Sequence, residues 1–274
     1  MRRPFTALAG FAAGLLLLFL ALPLVALFTR ISPVELFAQL GSDAAVDALL
    51  VSLETSLIAH AVIVVLGTPA AYLLATRPVR GRAAILTLIE LPLVLPPAVA
   101  GLALLSTFAA TGLLGSALDS AGISVPLTTT AVVLAVVFVA SPFYLRGAIA
   151  AFQGVDPDLI DAARTLGTRP FRVFRKVALP LAGAGLGAAS TLAFARGLGE
   201  FGATIMFAGS IQGRTQTMPL MIYAQLGRDF EVALAVGALL VLVSVLVLLA
   251  AKLLPGWTVY SSISPFRSAR SASS

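Results

Sequence analysis

Residues 155–180, VDPDLIDAARTLGTRPFRVFRKVALP, decide how the rest of the chain is read. They form a strongly polar segment in an otherwise apolar sequence. Asp156 is placed to cap a helix that starts at Pro157, and Asp158 adds negative charge at the positive end of that helix. Leu159, Ile160, Ala163 and Leu166 recur at helical spacing, and Gly167 suits a left-handed stop. Thr168 is placed to cap a second helix, with Pro170 near its start. On that helix Phe171, Phe174 and Val177 share one face, and Arg172, Arg175 and Lys176 another. The segment predicts two short amphipathic helices at the surface of a membrane protein.

Composition supplies the membrane. Of 274 residues, 59% are hydrophobic and 11% charged, and the mean hydropathy is +1.03. A spanning helix needs about 20 apolar residues. Runs of that kind occur at 8–28, 49–76, 83–110, 127–145, 177–207 and 232–254. Arg2 and Arg3 precede the first, which competes with a signal-peptide reading. That run is too long for an ordinary signal core, and no small-x-small site ends it. The third run holds Pro92, Pro96 and Pro97, which remove backbone donors and must kink or open the helix. Pro142 interrupts the fourth near its end, and Arg146 marks its exit. Residues 1–255 thus form one transmembrane domain, and the Ser-rich residues 256–274 read as a disordered tail.

Six spans put both termini on one side. Fourteen of the 18 basic residues lie in loops on that side; Arg30, Arg214 and Arg228 lie opposite, and Arg196 falls within the fifth span. The positive-inside rule then places both termini and the segment 155–176 in the cytoplasm. The net charge of +6 therefore belongs to membrane-flanking loops and not to a nucleic-acid surface. The chain has no cysteine and one histidine, His60, which argues against a metal site. It has no G-x-x-x-x-G-K-[ST] loop for ATP and no nucleophile–base constellation for enzyme chemistry. Residues 197–202 match G-x-G-x-x-G, but they follow an apolar helical run and not a strand.

Charges inside spans are costly and are functional candidates. Arg196 and Glu200 are four residues apart on one helical face. One reading makes them a neutralising structural pair. The other makes Arg196 a cation on an anion path, with Glu200 weakening it enough for release. Gly197, Gly199 and Gly202 allow close backbone approach or local unwinding there. Glu90, two turns into the third span, faces the bundle or a wet cavity, and Glu54 lies at the outer interface. His60 reads as a hydrogen-bonded bundle residue, and Gly183 with Gly187 as a G-x-x-x-G helix-packing motif.

The opening segment also resembles the signature of permease subunits of bacterial ABC importers, E-A-A, three residues, G, nine residues, I-x-L-P. Here it reads Asp161-Ala162-Ala163, Gly167 and Val177-Ala178-Leu179-Pro180, with Asp161 for Glu and Val177 for Ile. Residues 196–209 and 213–220 are similar to the molybdate branch of that family, and residues 91–97 to that branch and its sulfate relatives.

The resemblance implies an all-α membrane protein of the type I ABC importer permease class. It has six transmembrane helices and a cytoplasmic coupling helix between helices 4 and 5. Asp161, Ala162, Ala163, Gly167, Leu179 and Pro180 would form the ATPase-coupling site, with Ala162, Ala163 and Gly167 small enough to let the ATPase approach closely. The third and fifth spans would line the path, with Glu90, Pro92, Pro96, Pro97, Arg196, Gly199, Glu200 and Gly202 as candidates. Implied partners are two ATPase subunits, an external or periplasmic substrate-binding protein, a second copy of this chain and the lipid bilayer of the bacterial inner membrane. The ATPase holds ATP-Mg, so this chain itself takes no cofactor. The implied cargo is molybdate, with tungstate or sulfate as alternatives. The contrary readings are an ATP-independent channel or secondary transporter, and an interfacial helix lying on the bilayer.

Overall fold

The structure, a computed structural model, describes residues 2–253; the proposed tail 256–274 lies outside them. Among the described residues there are helices and turns but no strand. Helix α1 is Arg2–Thr29, α2 Pro33–Leu40, α3 Asp43–Thr76 and α4 Arg82–Val94. There follow α5 Pro97–Phe108, α6 Gly115–Ser120 and α7 Thr129–Gln153. The polar segment holds α8 Pro157–Thr165, α9 Pro170–Val173, a π-turn Phe174–Ala178 and α10 Leu179–Leu181. Then come α11 Gly183–Leu198, α12 Gly202–Ala208, α13 Met218–Leu226 and α14 Phe230–Leu253.

Four continuous helices are long and apolar enough to cross a bilayer: Phe5–Thr29, Asp43–Thr76, Thr129–Gln153 and Phe230–Ala250. Two bent pairs bring the number to six if each pair is counted as one broken span. The pair α4–α5 turns through 116°, and Pro170–Leu181 with α11 through 75°. Prolines explain the first break. Leu95 and Pro96 each precede a proline, which pushes them to extended backbone, and their ψ angles are 134° and 135°. Pro97 then begins α5 where its missing N–H has no partner to lose.

Several boundaries differ from the sequence reading. The second span starts at Asp43 and not at 49, because Ser42 caps it by accepting from the Ala45 N–H. The fourth span runs unbroken through Pro142 to Gln153, which makes Arg146 a residue inside α7 and not a loop exit. The fifth span does not reach 207. It ends at Leu198, residues 199–201 leave the helix, and α12 is separate. The G-x-x-x-G motif also packs nothing within the chain: a Cβ on Gly183 or Gly187 would meet no atom within 4 Å. The close contact falls on Gly147 and Gly185 instead. A Cβ on each would lie 2.5 Å from the Ala189 Cβ and 2.6 Å from the Ala151 Cβ, so α7 and α11 touch almost backbone to backbone.

The main core lies between α3, α7 and α11, where Ala59, Ala140, Ala148, Ala189 and Ala193 are buried. Small side chains let the helices approach, and van der Waals contact holds them together where lipid removes the usual hydrophobic drive. Thr68 and Tyr144 share a hydrogen bond of 2.6 Å across α3 and α7. His60 Nε2 lies 2.7 Å from Ser190 Oγ, and its ring meets Phe194 edge-on, as expected of a bundle residue. Glu54 is exposed on α3, and the apolar window of α1 is wholly unburied.

Candidate functional site

Residues 155–180 form a knob packed against the main core. Asp156 caps α8, accepting from the Asp158 N–H at 2.9 Å, and Gly167 ends that helix at φ +74°. Thr168 does not cap the next helix. Its N–H bonds the Ala163 carbonyl at 3.2 Å, completing the stop of α8, and Arg169 takes the cap position without a side-chain bond. The face expected for Phe171, Phe174 and Val177 splits: Phe171 is exposed, while Phe174 and Val177, within the π-turn, are half-buried.

Val155, Ile160 and Val173 are buried in the main core. The Phe174 ring sits 4.9 Å from Tyr72 and 6.3 Å from Phe152, tying the segment to the ends of α3 and α7. Outward, Leu166 is 84% exposed, Phe171 71% and Leu159 49%. The stripe read from sequence is thus divided, with Ile160 and Ala163 inward and Leu159 and Leu166 outward. Ala162 and Pro180 are exposed, Leu179 is half-buried, and a Cβ at Gly167 would meet nothing within 4 Å. Asp161 pairs with Arg164 at 2.9 Å on the surface. Exposed apolar residues rimmed by charge on a firmly anchored helix suit a protein partner.

The second cluster forms where two spans break. Arg196 Nη2 meets Glu200 Oε2 at 2.7 Å; the arginine side chain is 31% exposed and the glutamate 1%. Glu200 Oε1 also accepts from the Ala203 N–H at 2.9 Å, which caps α12 and anchors the unwound turn. The carboxylate therefore lies behind, and the guanidinium faces a cavity of about 150 Å³. Pro92, Leu93, Leu95, Pro97, Val139 and Phe143 are among its walls. Gly202 packs so tightly on Pro97 that a Cβ would come within 2.2 Å of the proline Cβ. Arg196, Glu200, Pro92, Pro97 and Gly202 are thus brought together, while Pro96 and Gly199 are exposed beside them. Glu90 is elsewhere, 3.5 Å from Arg146 Nε on α7. Sequence reasoning missed Leu93 and Phe143, plain apolar residues that become cavity walls only once the α4–α5 break is seen.

The chain matches the family model for the binding-protein-dependent transport system inner membrane component over residues 63–258. It is 44% identical to a molybdenum transport system permease protein of Mycobacterium tuberculosis, over 85% of this chain and 88% of that one. A probable molybdenum ABC transporter permease of Haloferax volcanii is 42% identical over 83% and 86%. A sulfate transport system permease of Salmonella typhimurium is 34% identical over 89% and 90%. Among solved structures, a bacterial ABC transporter for alginate import aligns with a TM-score of 0.73 at 16% identity, covering 92% of this chain and 95% of that one. That likeness establishes the fold. The inner membrane component of a binding-protein-dependent system works with a binding protein and an ATPase, and the multi-pass helices found here fit such a component. The chain belongs to the binding-protein-dependent transport system inner membrane components, the permease family of ABC importers.

Proposed function

We propose that this chain moves molybdate inward as one half of a permease homodimer, served by two ATPase subunits and an external binding protein. Both termini and the coupling segment lie in the cytoplasm, where the basic loops gather. Asp161, Ala162, Gly167 and Pro180, with the exposed Leu159, Leu166 and Phe171, form the surface that an ATPase grips, and Ala163 and Leu179 pack behind it against the core. The core contacts of Ile160, Val173 and Phe174 would carry its movement into α3 and α7.

The observation that carries the anion reading is the asymmetry of the Arg196–Glu200 pair: the cation faces a cavity and the carboxylate is buried behind it. A doubly charged oxyanion meets a steep barrier in a low-dielectric bundle, and a facing guanidinium lowers it. Glu200 keeps that attraction short of a trap. Glu90, Pro92, Pro96, Pro97, Gly199 and Gly202 are the other residues assigned to the path. Molybdate is preferred over sulfate because relatives named for molybdenum are 44% identical and those named for sulfate 34%. In the cycle, ATP closes the ATPases, the paired coupling segments approach, and the permease opens outward; hydrolysis returns it inward.

Labelled molybdate and sulfate uptake in cells lacking the chain, before and after its expression, tests this reading. Recovery of molybdate uptake is expected. Recovery of sulfate uptake alone would reassign the cargo.

A further inference from the structure

Arg146 and Glu90 lie outside the Arg196 cluster, yet they line up with it. On α7, Val139, Phe143 and Arg146 fall at i, i+4 and i+7, on one face. On α11, Gly185, Ala189, Leu192 and Arg196 do the same, and on α4 Glu90 and Leu93 are three residues apart. These faces line two cavities, the larger of them open on one side. Arg196 lines one of about 150 Å³; Arg146 lines another of about 390 Å³, with Gly147, Gly185, Ala189 and Leu192. Leu93 and Phe143 line both. Val139 precedes Arg146 by two helical turns, about 10 Å. Ala189, which packs on Gly147, precedes Arg196 by the same two turns, so the two helices give one offset.

We infer that Arg146, countered by Glu90, is a second station for the transported oxyanion, two helical turns nearer the coupling segment, and that Leu93 and Phe143 form an apolar gate between the stations. This rests on the reading of Arg196 as part of an oxyanion path. The two pairs repeat one chemistry, a guanidinium balanced by a carboxylate, with a difference in tightness. The Arg196 contact is 2.7 Å long with its glutamate buried; the Arg146 contact is 3.5 Å, with side chains 61% and 46% exposed. Half-exposed charges at this depth on spanning helices need water or a counter-ion, and a cavity wide enough for a hydrated anion supplies the first. A tetrahedral divalent anion leaving Arg196 passes the apolar wall and meets a second set of N–H donors. The nearby Glu90 carboxylate competes for that cation, which favours release on the coupling side.

The chain carries no native cysteine, so Leu192→Cys in the Arg146 cavity is its single thiol, and the complex without that substitution supplies the background of its partners. In the assembled transporter it is treated with two methanethiosulfonate reagents, one bearing a sulfonate and one a trimethylammonium group. We expect both to react, molybdate to slow the sulfonate reagent, and Arg146→Gln to lower the sulfonate-to-ammonium rate ratio several-fold while Arg146→Lys restores it. Failure of both reagents, which a lipid-facing pair would give, overturns the inference. So does an unchanged ratio or, where Arg146→Gln does not assemble, absence of molybdate protection with Arg146 intact. Uptake separates the two levels of the argument. Arg196→Gln at wild-type uptake defeats the path itself; Arg196→Gln defective with Arg146→Gln normal defeats only the second station.

Discussion

Arg196→Gln and Glu200→Gln should not be equivalent, although they break the same 2.7 Å contact. Removing the arginine leaves a carboxylate that is 1% exposed, with the Ala203 N–H as its remaining charge-stabilising donor. Stripping one partner from a buried pair costs about 3–5 kcal/mol. Removing the carboxylate is milder. The amide introduced by Glu200→Gln would still offer an oxygen to the Ala203 N–H, and the arginine, its side chain 31% exposed, can be hydrated from its cavity. The loss is then close to that of one charged hydrogen bond, about 1.5–3 kcal/mol. The double variant buries no lone charge and should resemble Glu200→Gln. Thermal unfolding of the purified complex in detergent measures the order: Arg196→Gln lowest, the other two above it and close together. A Glu200→Gln complex that melts at or below Arg196→Gln would refute the geometry argued for the pair.

Gly202→Ala drives a Cβ into Pro97 at 2.2 Å, so α5 and α12 must separate; a stability loss of about 1–3 kcal/mol is expected in the same assay, against no change for Gly227→Ala, which faces open space. Gly167→Arg combines a left-handed φ of +74° with a bulky charge on the exposed knob, and should abolish co-purification with the ATPase while membrane insertion persists. Gly167→Asn, which tolerates that φ, should retain binding. Single cysteines at Ser42 and Gln212 should react with an impermeant thiol reagent from outside, and those at Arg80 and Thr168 only from the cytoplasm; outside labelling of Thr168 would reverse the orientation.

Local chemistry made much of this fold legible. Asp156, Pro157 and Gly167 announce a helix and its end by rules confined to a few residues, and the structure follows them. The proline triplet announced a break by the same kind of local rule. The misreadings arise where tertiary contact decides. Gly197, Gly199 and Gly202 signalled that the chain could unwind there, but not that the span would end at Leu198, because apolar residues resume on both sides of the turn at 199–201. Glu200 reaching forward to the Ala203 N–H holds it. Pro142 looked like an interruption, yet α7 tolerates it inside the bundle and carries Arg146 two turns inward of its end. The inward Ile160 and Ala163 and the outward Leu159 and Leu166 could not be separated without knowing which side the core lies on. Leu93 and Phe143 carry no signal at all until two cavities are seen to share them.

The central claim is that ATP held by a partner drives molybdate past Arg196. Proteoliposomes containing the purified complex, with ATP inside and the binding protein and labelled molybdate outside in the orientation proposed, test it most directly. The account predicts uptake that needs both ATP and the binding protein, and a ratio of molybdate delivered to ATP hydrolysed that collapses in Arg196→Gln but is partly kept in Arg196→Lys. Uptake that proceeds without ATP, or an Arg196→Gln complex that delivers molybdate at the wild-type ratio, would contradict it.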